Sequence, residues 1–553
     1  MRSSGWGALA VLAAIVAQPA HVQGQPVRDA LALEAHPQVA DATWRRWRAP
    51  LDGLYELRGY APLWLHEDGT PLPAAHAVVD ELAAAGARGL LPQDYAAQSL
   101  RIALLRTSPA PTEQRRRAQL DVALSANVAE FLAQAQAGRI DPRSLGIELD
   151  VPRDAMDPVA FLELLARAPG SLELAALIDA LEPKWRRFVL LKQALLRYRT
   201  LSQSALTTEL APPATWNVGA GSVYADAPAL RTLLAALGDL PDASAARHRS
   251  EVIDRKLASA IESFQARHGL ERSGKLDEPT YRALSVPLAQ RVLQIELALE
   301  RLRWLPQHVD SPPIVINVPQ FKLFAFYTAE DDEDTIAQMD VIVGSDTPLH
   351  HTPLFAADMR YVVFAPYWEV PASILAAELL PKIAADHEWV QRQGYEVVWG
   401  GRVTQRVDAA TVAALANGHA RLRQLPGPRN ALGRIKFVLP NRHSVYLHDT
   451  PEDSLFGAAR RAFSHGCVRV SAPVTLAEYA LRGNAGWTRA RIVEAMERDT
   501  SRRVDLAAPV RVYLIYATAL AAENGKVHFF EDLYGHDARL AEALQARTGP
   551  DQS

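Results

Sequence analysis

The sequence predicts a multidomain α+β protein: an all-α N-terminal scaffold, a small helical module, and a mainly-β C-terminal domain carrying a helical insertion. Three observations predict that class. At 553 residues the chain exceeds what one hydrophobic core sustains and divides into several domains. From about Asp29 to Leu240 apolar residues recur at helical spacing in a stretch rich in Ala, Leu and Arg. After Pro312 the texture changes to short β-branched and aromatic runs punctuated by Pro, Gly, Asp and Asn.

Residues 1–24 read as a secretory signal. Met1-Arg2 supplies the positive start, the apolar run from Trp6 to Ala17 the centre, and Val22-Gln-Gly24 small residues at a cleavage point. Whether it is cleaved or kept as an anchor stays open. The run is shorter than the ~20 residues a spanning helix needs, so no transmembrane span is expected in the mature chain. Residues 25–245 form the expected scaffold, with helices over 75–85, 117–137 and 172–181 and breaks at Gly89, Pro142 and Pro183. The cluster Tyr60-Ala-Pro-Leu-Trp64 is expected to be core.

Residues 246–308 form the module and a connecting helix. Ile253, Leu257, Ala260, Ile261 and Phe264 share a helical face, Gly269 ends that helix, and Asp277 caps the next, with Pro279 in its first turn. Strands are expected over 314–318, 321–327, 339–343, 360–364, 434–439 and 445–448, and at 510–516 and 527–530 returning to the same sheet. Within this domain of 312–540, residues 371–430 are read as a helical insertion, and 541–553 as a tail.

The chemistry centres on Arg461-Ala-Phe-Ser-His-Gly-Cys-Val-Arg-Val470, which holds Cys467, the single cysteine. A lone cysteine is most often an inert core residue. Here His465 and Arg469 bring potential positive charge and Gly466 lacks a Cβ, a neighbourhood that favours a thiolate. Tyr446 and His448 alternate with Val445 and Leu447 and so fall on the face opposite those aliphatics, where His448 can serve as base. Backbone N–H groups at His465, Gly466 and Cys467 are candidates to hold an oxyanion. Together they suit acyl transfer. Zinc on His448, His465 and Cys467, with Asp449 as fourth ligand, is the rival; no second Cys and no HExxH supports it. His350-His351 is read as solvated, and Ser471 as the cap of a helix that follows. A net charge of -4 without a basic stripe excludes a nucleic-acid footprint.

The run His448-Asp-Thr450, then Ser464-His-Gly-Cys-Val-Arg469, resembles the signature of the L,D-transpeptidase family. Supporting strings are Val343-Gly344 with Thr352-Pro353, Pro366-Tyr-Trp-Glu-Val-Pro371 and Pro426-Gly-Pro-Arg-Asn-Ala-Leu-Gly433. The stretch from Ala260 to Leu284 is similar to the three-helix peptidoglycan-binding module of bacterial wall enzymes. The whole resembles the large murein L,D-transpeptidases of Gram-negative bacteria, departing at Ala365, where that subgroup has Asn.

The resemblance implies Cys467 as nucleophile and His448 as base, with Asp449 or its backbone orienting the ring and His465 and Gly466 shaping the oxyanion loop. Tyr446, Ser464, Arg469 and Trp368 would line the substrate. The implied partners are peptidoglycan stem peptides, a donor tetrapeptide and an acceptor diaminopimelate amine, with no cofactor and no metal. Water or a lipoprotein as acceptor stays open, as an L,D-carboxypeptidase or a ligase would use. The insertion would be a lid, and carbapenems would acylate Cys467. The same resemblance implies a periplasmic location.

Overall fold

The structure is a computed structural model that describes residues 24–149, 157–168, 170–206, 208–241, 248–307, 309, 311–328 and 336–547. The expected signal segment, apart from Gly24, and residues 548–553 of the expected tail lie outside the described residues. Two compact units form, one from Met1–Ala137 with Ala155–Glu182 and one from Gly138–Asp154 with Pro183–Ser553.

The first unit is helical and built around Gln114–Ala137, whose residues from Leu120 to Ala135 are buried. A helix enclosed on all sides must satisfy its polar groups internally. Asp121 does so by accepting the N–H of Leu63 (2.9 Å) and Trp64 (2.8 Å) and the Tyr55 hydroxyl (2.6 Å). The Trp64 indole donates to Ser125 Oγ at 2.9 Å. The Tyr60–Trp64 cluster is therefore core, with Trp64 fully buried.

In the second unit, the helical stretch expected as one domain over 25–245 proves divided. Helices Arg186–Ser202 and Ala227–Leu237 pack with the module, and Phe188, Leu195, Leu257, Phe264 and Leu299 share one core. Ile140 and Ile147 join the core of the main sheet instead, where the Glu148 N–H donates to the Leu354 carbonyl at 3.0 Å. In the module, Asp254 caps Arg255–Arg267 and Asp277 caps Glu278–Leu284. The expected return of 527–530 to the main sheet does not occur. Val527–Phe529 pairs with Ala519–Ala521, and Phe529 enters the helical core against Tyr198, ring centroids 5.4 Å apart. Arg267 fixes this hairpin, donating to the Val527 carbonyl (2.8 Å) while paired with the fully buried Asp239 (2.7 Å).

Among the described residues, nine strands make the main sheet: β1 (Ile314–Asn317), β2 (Lys322–Phe326), β3 (Ile336–Gly344), β4 (Ala356–Phe364), β5 (Ile435–Val438), β6 (Leu447–His448), β7 (Ala462–Ser464), β8 (Val468–Val470) and β9 (Arg502–Ile515). Their order is β7-β3-β8-β6-β5-β4-β9-β1-β2, and β2 also pairs with β3, so eight strands close a ring with β7 attached to β3. Closure removes the free edges an open sheet would expose. Val341, Val362, Phe437, Leu447 and Val468 point into its core. Helices Pro473–Ala480, Arg489–Glu497 and His536–Arg547 follow, the last claiming residues expected as tail. Ser471 does not cap the first of these; its hydroxyl accepts the Asp340 N–H at 3.0 Å, tying β8 to β3.

The insertion is not purely helical. Besides the helical segments within 372–385 and Ala409–Ala416, it holds a sheet of Trp368–Glu369, Tyr395–Trp399, Arg402–Thr404 and Ala420–Gln424. Gly400 and Gly401, both at positive φ (55° and 79°), make the two-residue turn that this hairpin's twist demands. Ile383, Val390, Val397 and Leu422 give the insertion its own core.

Candidate active site

β6 and β8 run parallel, with Leu447 opposite Val468 and His448 opposite Arg469. Leu447 and Val468 both point into the core. Period two therefore places Tyr446, His448, Cys467 and Arg469 together on the other face. The β5 pairing adds Lys436, opposite His448. Its sequence neighbours Ile435 and Phe437 are fully buried, an alternation that marks Lys436 as facing the site, though the sequence reading passed over it.

The loop that presents the thiol is held by its own polar groups. Ser464 Oγ accepts the Gly466 N–H (3.1 Å) and donates to the Cys467 carbonyl (2.5 Å). Thr352, fully buried, donates to the Gly466 carbonyl (2.9 Å) and accepts the Gly344 N–H (2.9 Å). The Tyr534 hydroxyl donates to the Gly344 carbonyl at 2.7 Å. Gly466 sits at φ +112°, a conformation that L side chains rarely adopt. Because its N–H is committed to Ser464, Gly466 is not free to hold an oxyanion as expected. The N–H of Cys467 meets no acceptor among the described residues.

His448 is 4% exposed, and its Nδ1 lies 2.6 Å from the Asp449 carbonyl oxygen. A carbonyl only accepts, so Nδ1 carries the proton and Nε2 keeps its lone pair for the substrate side. It is the Asp449 backbone that orients the ring. The Asp449 carboxylate turns away and accepts the Arg434 N–H at 2.7 Å, lying where a Cβ on Gly433 would collide with it.

The charge state differs from the one expected. Burial pushes His448 down to about 3, with Arg469 and Lys436 adding to the effect. Burial also pushes the Cys467 thiol up, outweighing the hydrogen bonds from Tyr446 and the fields of Arg469 and Lys436. Cys467 and His448 thus rest as a neutral thiol and a neutral imidazole, not as a thiolate beside cations. The two flanking basic side chains are also engaged: Arg469 pairs with Glu452 (2.5 Å), and His465 Nε2 lies 2.6 Å from Glu378 Oε1.

Glu378 belongs to the insertion, so the His465 contact joins that element to the loop around Cys467. Neither Glu378 nor Glu452 was singled out in sequence, since nothing local marks a surface carboxylate as a partner for a distant loop. Trp368, expected at the substrate, packs with the insertion core, its ring 6.2 Å from Tyr395. His350 and His351 are half-buried rather than solvated: the His350 ring lies 4.3 Å from that of His465, and His351 stacks on Tyr534 at 4.0 Å. No group of three His, Cys, Asp or Glu side chains among the described residues could hold a metal.

The family description "L,D-transpeptidase catalytic domain" matches residues 312–494, which contain Cys467, His448 and the loop around them. The chain carries an L,D-transpeptidase catalytic domain. Ahead of this transpeptidase domain, "Putative peptidoglycan binding domain" matches 224–284 and "Scaffold domain" matches 49–195. A curated relative from Haemophilus influenzae, "Putative L,D-transpeptidase", is 33% identical over 307 residues, 53% of this chain and 58% of the relative. The chain thus spans little more than half of that protein's length. Strand β9, paired between β4 and β1, lies beyond the matched part of the transpeptidase domain.

Proposed function

We propose that this protein is a peptidoglycan L,D-transpeptidase that forms 3-3 cross-links through a thioester on Cys467. The observation that carries the reading is the His448 tautomer, with Nδ1–H donated to the Asp449 carbonyl and Nε2 free on the face it shares with Cys467. Cys467 Sγ attacks the carbonyl that joins the L-centre of diaminopimelate to the terminal D-Ala of a tetrapeptide stem. His448 Nε2 takes the thiol proton and returns it to the departing D-Ala amine. The N–H of Cys467 stabilises the oxyanion. A side-chain amine of a neighbouring stem then attacks the thioester, gives its proton to His448, and leaves an amide cross-link and a free thiol. Tyr446 and Lys436 steady the negative sulfur as it forms.

The insertion favours an amine over water as acceptor, because Glu378 holds it against the thiol loop through His465 and a covered thioester is shielded from hydrolysis. Export to the periplasm by residues 1–24 would bring the enzyme to its substrate. No described helix is long and apolar enough to cross a membrane.

The test is to incubate the purified protein with disaccharide-tetrapeptide and follow the products by mass spectrometry. A 3-3 dimer with loss of D-Ala is expected, along with a carbapenem adduct on Cys467. Tripeptide monomer alone would instead establish an L,D-carboxypeptidase, and full activity in Cys467→Ala would end the nucleophile assignment.

A further inference from the structure

The second half of the proposed reaction has a proton that the residues described so far do not accept. A primary amine arrives largely as an ammonium at neutral pH, and two protons must leave its nitrogen before the amide forms. His448 can take one of them at Nε2, because Nδ1 already carries the proton it donates to the Asp449 carbonyl. That proton goes on to the departing sulfur. The other needs a second acceptor, and a cation approaching Lys436 and Arg469 needs a counter-charge.

Three carboxylates around the site are committed. Glu378 holds His465 (2.6 Å), Glu452 pairs with Arg469 (2.5 Å), and Asp449 accepts the Arg434 N–H (2.7 Å). Glu369 differs from them. Trp368 and Val370 pack on the core of the insertion, so period two turns the side chain between them to the other face of the strand. From there its charge reaches Lys436, the same cation that feels Cys467. The Glu369 side chain is half exposed and accepts no hydrogen bond among the described residues. The nearest guanidinium groups stand off, Arg421 at 3.9 Å and Arg423 at 4.0 Å, and Arg423 is bonded to Glu396 at 2.5 Å. Glu369 also lines a groove of ≈ 450 Å³ in the insertion, with Ala372, Ala376, Gly418 and Ala420, where small side chains leave room for a guest.

We propose that Glu369 receives the acceptor ammonium, accepts one of its protons and aims the resulting amine at the thioester on Cys467. The assignment rests on the transpeptidase reading above and adds the residue that selects an amine over water. The protons then balance. Glu369 takes the first and releases it to solvent, the neutral amine forms the C–N bond as the C–S bond breaks, and His448 passes the second to sulfur. Water brings no charge for the carboxylate to hold, so Glu369 favours transfer over hydrolysis.

The test compares the full-length wild type with Glu369→Gln, which keeps the shape of the side chain and removes its charge. The side chain is half exposed and unbonded among the described residues, so melting curves of the two proteins should overlay. Each protein is acylated with disaccharide-tetrapeptide, and the thioester is partitioned among water, neutral hydroxylamine and the ammonium of a second stem. In Glu369→Gln the ratio of 3-3 dimer to tripeptide is expected to fall about tenfold, with the ratio of hydroxamate to tripeptide unchanged and carbapenem acylation of Cys467 as fast as in the wild type. A dimer ratio equal to that of the wild type would overturn the assignment. So would an equal loss of hydroxamate, which would mark a general disturbance of the insertion instead of recognition of charge. A wild type that yields hydroxamate and tripeptide but no dimer would overturn the transpeptidase reading and the assignment with it, whereas wild-type dimer beside an unaffected variant would overturn Glu369 alone.

Discussion

His448 is the residue through which pH should reach the transpeptidase domain. Its folded value lies near 3 against an ordinary 6.5, because the ring is buried among cations. A group depressed on folding binds a proton more readily in the unfolded chain. Its contribution is therefore fully present above 6.5 and is lost as pH falls through the window from 6.5 to about 3. About pH 4 lies roughly 2.5 below the unfolded value, so at ~1.4 kcal/mol per pH unit this single ring costs about 3 kcal/mol of stability there. The comparison is between wild type and His448→Asn, whose amide can still donate to the Asp449 carbonyl but does not titrate. Asp449, which burial pushes up, works in the opposite direction but is present in both proteins and cancels. Hydrogen exchange of peptides spanning 435–470, corrected for intrinsic rates, gives the local opening free energy at about pH 7 and about pH 4. The wild type should lose roughly 3 kcal/mol more than the variant between those conditions. Parallel losses would show that His448 is not held neutral by burial, and the neutral-pair description of the site would fall with it.

Thr352→Val keeps the shape but strands the Gly466 carbonyl and the Gly344 N–H, so it should cost on the order of 2 kcal/mol and change the alkylation rate of Cys467 by iodoacetamide, read by mass spectrometry. Arg267→Ala leaves the buried Asp239 with only the longer Lys526 contact (3.7 Å) and the Ser263 hydroxyl, and should destabilise the module by about 3 kcal/mol in urea unfolding; Arg267→Met with Asp239→Leu should recover most of that loss. Glu378→Ala removes the contact between the insertion and His465, and should raise the ratio of tripeptide to cross-linked dimer in product analysis by several-fold, with the rate of carbapenem acylation little altered.

How much of this was legible in sequence depended on whether a residue's role is local. Asp254 and Asp277 announce helix starts, because a cap is satisfied within three residues of itself. Gly466 announces a special backbone position, since few other residues reach φ +112°. Period two around Leu447 put Tyr446 and His448 on one face, and the register with β8 brings Cys467 beside them. The failures are non-local. Val527–Phe529 has every property of a sheet strand, yet its side chains enter the helical core, because that destination is decided by Tyr198 and Arg267, more than 250 residues away. The strand Tyr395–Trp399 was passed over inside a stretch read as helical, although its Gly-Gly turn was available as a signal. Ala365 departs from the expected Asn, and the structure holds it at φ +47°, a region Asn occupies more readily than Ala.

The charge state of the site is the most instructive failure. Counting His465 and Arg469 as sources of positive potential treats the loop as though nothing else touched it, and predicts a thiolate. Glu378 and Glu452 reach those two groups from other parts of the chain. Burial outweighs the fields of Arg469 and Lys436 at the sulfur and opposes charge on sulfur and imidazole alike. In the proposed reaction, a pair that is neutral at rest must separate charge during attack, and Lys436 and Tyr446 stand beside the sulfur as that charge develops. On that proposal, proton transfer from Cys467 to His448 is coupled to arrival of the carbonyl rather than preceding it. That coupling suits the single thiol of a chain with no second cysteine, because a thiol reacts with oxidants far more slowly than a thiolate.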